Sequence, residues 1–286
     1  MDWGRMRRSG NVEDRRGHRA FGGGAGLGVG GLVVVLVLSW LMGVNPLYLV
    51  SMLQEGGNGP PVQVQTEPPA NDRQADFVRA ILGDTEDTWR TIFQRSGESY
   101  KEPKLVLFSD AVQSACGFAS AAVGPFYCSR DEEVYLDLRF FEELSQRFGA
   151  PGDFARAYVI AHEVGHHIQQ LLGISAKVQA QRARADEATS NALSVRQELQ
   201  ADCFAGVWGH YTAKRGLIDQ SDIAAALHAA AQIGDDRLQK RAQGYVVPEA
   251  FTHGSAAQRV QWFQKGLESG DPNQCNTFTA GTAGQL

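Results

Sequence analysis

The chain has 286 residues, 43% hydrophobic and 21% charged, a balance that suits a globular protein with an ample core. Its formal net charge of −5 gives no electrostatic case for nucleic acid, which is excluded as a partner. Its four cysteines include no Cys-x-x-Cys pair, which argues against a cysteine-held zinc cluster.

Read from its start, the chain opens on a basic head, 1–24, in which Arg5, Arg7, Arg8, Arg15, Arg16 and Arg19 outnumber Asp2, Glu13 and Asp14. No charge follows from Ala20 to Gln54, and the apolar heart of that stretch matches the ~20 residues that span a bilayer. Residues 25–50 are therefore expected to form one transmembrane helix. The arginines before it place the N-terminus in the cytoplasm and the rest of the protein outside the cytoplasmic membrane. A cleaved signal peptide is the rival reading; the apolar run is long, and no Ala-x-Ala site or lipidation cysteine follows it. Gly26, Gly28 and Gly31 satisfy Gly-x-Gly-x-x-Gly, but with no strand before them a dinucleotide site is not expected. Residues 51–71, rich in Gly and Pro, read as a linker to a domain over 72–286.

In that domain a helix is expected over 72–94, with Phe77, Ile81, Trp89, Ile92 and Phe93 at helical spacing. Residues 104–108 and 134–138 read as strands, a turn-rich stretch begins at Gly124 and Pro125, and 140–148 is a short helix. Either strand is a candidate edge on which an extended peptide adds by main-chain hydrogen bonds, an internal strand being the alternative. Helices over 221–234 and 256–267 complete an α+β domain dominated by helices, with a small sheet.

The most informative segments lie between. Residues 153–172 read as one buried helix, with Asp153 as the candidate N-cap and Gly173 at the C-cap. It carries His162-Glu163-x-x-His166, and histidines four apart project from the same side of a helix, where both reach one zinc ion. His167 projects about 140° away from His162, so it reads as a supporting or packing residue. Gly165 gives room either to substrate or to a neighbouring backbone. A three-histidine site would continue with Gly at 169 and His at 172, where this chain has Gln169 and Leu172. The third ligand is instead sought on a second helix over 190–211, which carries Glu198 and, one turn later, Asp202. Glu198 completes a His2Glu site with an open position, and Asp202 accepts the free ring N–H of a ligating histidine. Asp186 and Glu187 rank lower, in a polar stretch that is loop or helix start. Of three possible disulfide pairings, Cys116–Cys128 and Cys203–Cys275 are preferred, against four buried thiols: the first closes a short loop, and the second ties the tail to the helix of Glu198.

Residues 153–172 and 197–209 resemble the bacterial putative neutral zinc metallopeptidase family, related in motif to the gluzincins. The resemblance extends to Asn11 through Arg15, Gly124 through Cys128, Tyr135 through Leu138, His253 through Ser255, Arg259, Trp262 and Phe263. It implies a membrane-anchored zinc peptidase with a zincin-like domain, and supplies no physiological substrate.

On this reading one Zn2+ is held by His162, His166 and Glu198, and Glu163 is the general base toward the water that attacks a scissile carbonyl. His253 is the first choice for the oxyanion donor, ahead of Tyr211 and Tyr245, although it also reads as a contact at a helix start, as Thr252 or Ser255 do by capping. His210 and His228 read as surface or packing residues. The substrate expected is a peptide or protein. The alternatives are an amidase acting on a non-protein substrate and a membrane-tethered scaffold with structural zinc, for which Glu163 has no use.

Overall fold

The computed structural model describes residues 1–17 and 71–278. Helix α1 (Arg73–Arg95) starts where Asp72 accepts hydrogen bonds from the backbone N–H groups of Gln74 and Ala75, and buries Phe77, Ile81, Trp89 and Phe93 as their spacing predicts. A four-stranded sheet lies beside it in the order β1 (Val12–Asp14), β2 (Lys104–Phe108), β6 (Glu133–Asp137), β5 (Phe126–Cys128). Strands β1, β2 and β6 are parallel, and β5 runs antiparallel to β6 as an edge. Alternation along the strands separates two apolar layers: Leu105, Leu107, Val134 and Leu136 join the main core under the helices. Val106, Phe108 and Tyr135 pack on the other face with Val112 of the hairpin β3 (Ala111–Ser114) and β4 (Gly117–Ser120).

After β6 come α2 (Phe140–Gln146), α3 (Asp153–Leu171), α4 (Ile174–Arg182), α5 (Glu187–Lys214), α6 (Gln220–Gln232), α7 (Asp235–Gln243) and α8 (Ala256–Ser269). The expected α+β domain is present. The short strands β1 and β5, the hairpin, α4 and α7 are additional to the expectation; strands of three or four residues hold too few alternations to stand out. The cap of α3 is corrected: Gly152 is its N-cap, and the Asp153 carboxylate instead accepts from Trp3 Nε1 at 3.1 Å. Asp186 turns out to cap α5, accepting from Thr189 N. Both preferred disulfides, Cys116–Cys128 and Cys203–Cys275, are formed.

The N-terminal expectations need the largest correction. The spanning helix expected at 25–50, like the linker at 51–71 up to residue 70, lies outside the described residues. Among the described residues no helix is long and apolar enough to cross a membrane. The fold of the described residues is accordingly an α+β domain, and the expected spanning helix is no part of what they show. Met1–Arg15 of the basic head belong to the same compact unit as the domain. Strand β1 pairs with β2, Leu105 N donates to Asn11 O at 2.9 Å, and Arg15 N donates to Leu107 O at 2.8 Å. Arg8 grips Asp76 with two hydrogen bonds of 2.9 and 2.7 Å, and Arg7 reaches buried Glu86 at 2.5 Å. The chain passes so close to α1 that a Cβ on Gly83 would lie 2.4 Å from Arg7 O. The spanning helix and its lipid partner therefore find no support among the described residues. Of the arginines read as a topological flank, Arg7, Arg8 and Arg15 are ion-paired to Glu86, Asp76 and Glu133 of the domain.

Candidate metal centre

Helices α3 and α5 cross where Gly165 meets Ala201. A Cβ at Gly165 would lie 2.8 Å from Ala201 O and 3.0 Å from its Cα, so this glycine admits the neighbouring backbone. The crossing brings the faces of His162, His166 and Glu198 together: one ligand atom from each lies within 4.8 Å of the other two. Glu198 spans the histidines, with Oε2 3.1 Å from His162 Nε2 and Oε1 3.4 Å from His166 Nε2.

The outer nitrogens of both rings are engaged. His162 Nδ1–H donates to Asp202 Oδ1 at 2.8 Å, and His166 Nδ1–H to Gln169 Oε1 at 2.9 Å. When the rings give up a proton to a metal, these bonds keep the remaining one on Nδ1 and leave both Nε2 atoms, on the side of Glu198, as the ligating nitrogens. The arrangement fits zinc: two imidazole nitrogens and a carboxylate oxygen converge, with oxygen acceptors behind the rings.

Each support runs deeper into the protein. Asp202 is fully buried, and Arg259 grips it through Nε at 2.8 Å and Nη2 at 3.0 Å while Tyr158 OH donates at 2.5 Å. Gln169 donates to Gln197 O and Gln200 Oε1, and Gln200 Nε2 donates to Cys275 O at 2.9 Å. The Cys203–Cys275 disulfide thereby joins the support of His166 to the helix that carries Glu198.

Burial disfavours charge at every group here, and pairing reverses the outcome for most of them. Asp202 and Glu198 raise His162 to about 10 against its burial. Burial opposes the ionised Asp202 too, but Arg259 and His162 hold it at about 2. Glu198 stays well below the usual carboxylate range, burial being outweighed by the two histidines. Glu163 goes the other way: burial raises it, with the histidines as partial compensation. Its carboxylate has no hydrogen-bond partner among the described residues, and it lines a cleft of about 710 Å3 with His162, His166 and Glu198.

His253 lines the same cleft. Its holder, Asp235, escaped the sequence reading. Asp235 Oδ2 accepts from the backbone N–H groups of Thr252, His253 and Gly254 at 2.7, 2.6 and 3.0 Å, and Oδ1 lies 3.3 Å from His253 Nδ1. That hydrogen bond raises the pKa of His253 against partial burial. Ser255 caps α8, as expected. Tyr211 lies elsewhere, where its hydroxyl accepts from Arg95, and Tyr245 is an exposed residue that does not line the cleft. His210 and His228 bond to Leu267 O and Gly149 O, as packing residues do. Asp235, Gln169 and Tyr158 stand in no motif; Arg259 entered the sequence reading only through the resemblance.

Comparison with known proteins gives this geometry a family. Residues 1–278 match the family described as putative neutral zinc metallopeptidase. The chain belongs to that family. Among its relatives is the uncharacterized protein YpfJ of Escherichia coli K12, 47% identical over 97% of this chain and 99% of that protein. Another is the uncharacterized protein Rv2575 of Mycobacterium tuberculosis, 44% identical over 73% of each chain. No solved structure matches. The family match runs through the N-terminal residues as well as the metal helices, in keeping with their place in one unit.

Proposed function

We propose that this protein is a zinc-dependent peptidase that hydrolyses peptide bonds of a peptide or protein substrate. The observation that carries the reading is Glu163: a buried carboxylate with no hydrogen-bond partner among the described residues, in a cleft beside three converging metal ligands. A site that held metal for structure alone would have no use for it, which disfavours the scaffold alternative. A zinc ion held by His162, His166 and Glu198 supplies Lewis acidity toward a carbonyl and toward water. Glu163 takes the proton of the attacking water and returns it to the leaving amine; its raised pKa suits both transfers. His253, held by Asp235, donates a hydrogen bond to the oxyanion that develops on the carbonyl.

Edge strand β5 supports a peptide as the substrate over a non-protein amide. It pairs with β6 on one side, has no strand on the other among the described residues, and places Phe126 and Tyr127 along the cleft. An extended chain bound there gains main-chain hydrogen bonds irrespective of its side chains. The two disulfides favour an oxidising compartment outside the cytoplasm as the place of work.

The deciding experiment is Glu163→Gln. The variant should bind one zinc per chain as the wild type does and lose cleavage of unfolded casein. Retained turnover would refute the assignment.

A further inference from the structure

His167 follows a metal ligand directly, and nothing proposed so far uses it. The ring is fully buried and both nitrogens are engaged. Nε2 lies 2.7 Å from Lys101 O, a group that only accepts, so Nε2 carries the proton. Nδ1 is then an acceptor, and the Tyr127 hydroxyl donates to it at 3.0 Å. Tyr100 and Tyr127 meet the ring edge-on, with centroids 6.1 and 5.5 Å away. Tyr127 is the middle residue of β5, opposite Val134 on β6. Lys101 belongs to the loop that leads into β2. One buried side chain therefore joins the metal helix α3, the loop before the sheet and the edge strand that borders the cleft.

We propose that His167 is a positioning residue: through Tyr127 it sets the separation between β5 and the ligand pair His162 and His166 on its own helix. An extended peptide laid along β5 then meets Glu163 in a fixed register. This rests on the peptidase reading above. It explains why an imidazole at this position is useful although it faces away from the metal: only a ring with an acceptor on one side and a donor on the other spans both partners. Without the link, β5 has to be ordered as the peptide binds, a cost that falls on KM rather than on the chemical step, so His167 acts on binding without touching substrate.

Two variants separate the link from bulk packing. Tyr127→Phe removes only the hydroxyl; His167→Gln keeps a donor and an acceptor, but both on one terminal amide rather than on opposite sides of a ring, so it does not span Lys101 O and Tyr127 together. In the zinc-loaded proteins, each is expected to raise KM about 5- to 10-fold for a peptide long enough to lie along β5, with kcat changed less than about 2-fold. A short peptide that does not reach β5 should be cleaved by His167→Gln as by the wild type, and the double variant should be no worse than the worse single one. Amide hydrogen exchange gives a readout apart from turnover: the β5 amides should exchange about 5- to 10-fold faster in Tyr127→Phe while those of α3 keep their protection. Unchanged exchange in β5, or an equal loss on long and short peptides, would overturn the proposal. Faster β5 exchange in a protein that cleaves no peptide would retain the link and remove the peptidase reading.

Discussion

Asp202 Oδ1 stands 2.8 Å from His162 Nδ1, and the same carboxylate is held on both oxygens by Arg259. A buried guanidinium thus fixes the acid that fixes the ligand. All three side chains are buried, so no solvent screens the chain of interactions.

Replacing Asp202 with Asn should therefore act on stability and on metal together. Arg259 would keep its charge in the core without a counter-ion, a loss of about 3–5 kcal/mol for a broken buried pair. His162 would have a neutral amide oxygen in place of its charged acceptor, and zinc affinity should fall about 10- to 100-fold. Thermal unfolding of the metal-free variant and chelator competition measure the two effects separately.

Zinc binding should release protons at neutral pH. In the metal-free protein Asp202 and Glu198 raise His162 to about 10 despite burial, so its ring is charged at pH 7 and must lose a proton to ligate. His166 is raised as well, Glu198 outweighing burial. The sign follows: zinc affinity rises with pH between about 7 and 10. For the metal-free fold, the stabilisation from charged His162 is complete below its unfolded pKa of about 6.5 and is lost as pH rises through about 10. Calorimetry in buffers of different ionisation enthalpy counts the protons, and alkaline unfolding should come earlier without metal than with it.

The Asp235–His253 pair predicts a shift in a titration. Asp235 holds the raised pKa of His253 by a direct hydrogen bond. Asp235→Asn should lower it toward the ordinary ~6.5, as read from ring proton shifts. If charged His253 is the oxyanion donor, the alkaline limit of activity should move down with it. His253→Ala should lower kcat by about 100- to 1,000-fold with zinc content unchanged.

The tail disulfide should matter to the metal. Cys203→Ala with Cys275→Ala frees the segment whose Cys275 carbonyl accepts from Gln200, and Gln200 supports Gln169 behind His166. The expected loss is about 2–5 kcal/mol of stability, together with weaker zinc binding. A variant with wild-type affinity would show that His166 is held without the tail.

Much of the centre was legible because its spacings are local. His162 with His166, and Glu198 with Asp202, are each separated by four residues, and a helix puts such residues on one face whatever surrounds it. Asp235 was not legible, because its role depends on a loop that returns to the start of α7 from 17 to 19 positions away. Gln169 entered the sequence reading only as a residue that failed another motif, yet it is the acceptor for His166. His167 was read as supporting or packing, but its partners come from the sheet.

The N-terminus shows the opposite case, where a strong local signal pointed away from the structure. Six arginines before an uncharged apolar run satisfy a charge rule that considers only their neighbours in sequence. The partners of Arg8 and Arg7, Asp76 and Glu86, lie far along the chain. Sequence by itself determined the elements that repeat within a few residues: the amphipathic helices, the longer strands and the two ligand-bearing turns. Only tertiary structure decided which helix faces meet, which acid or amide stands behind each ligand and where the first strand goes. These are pairings between distant segments, chosen by burial and hydrogen bonding together, and no periodicity along the chain encodes them.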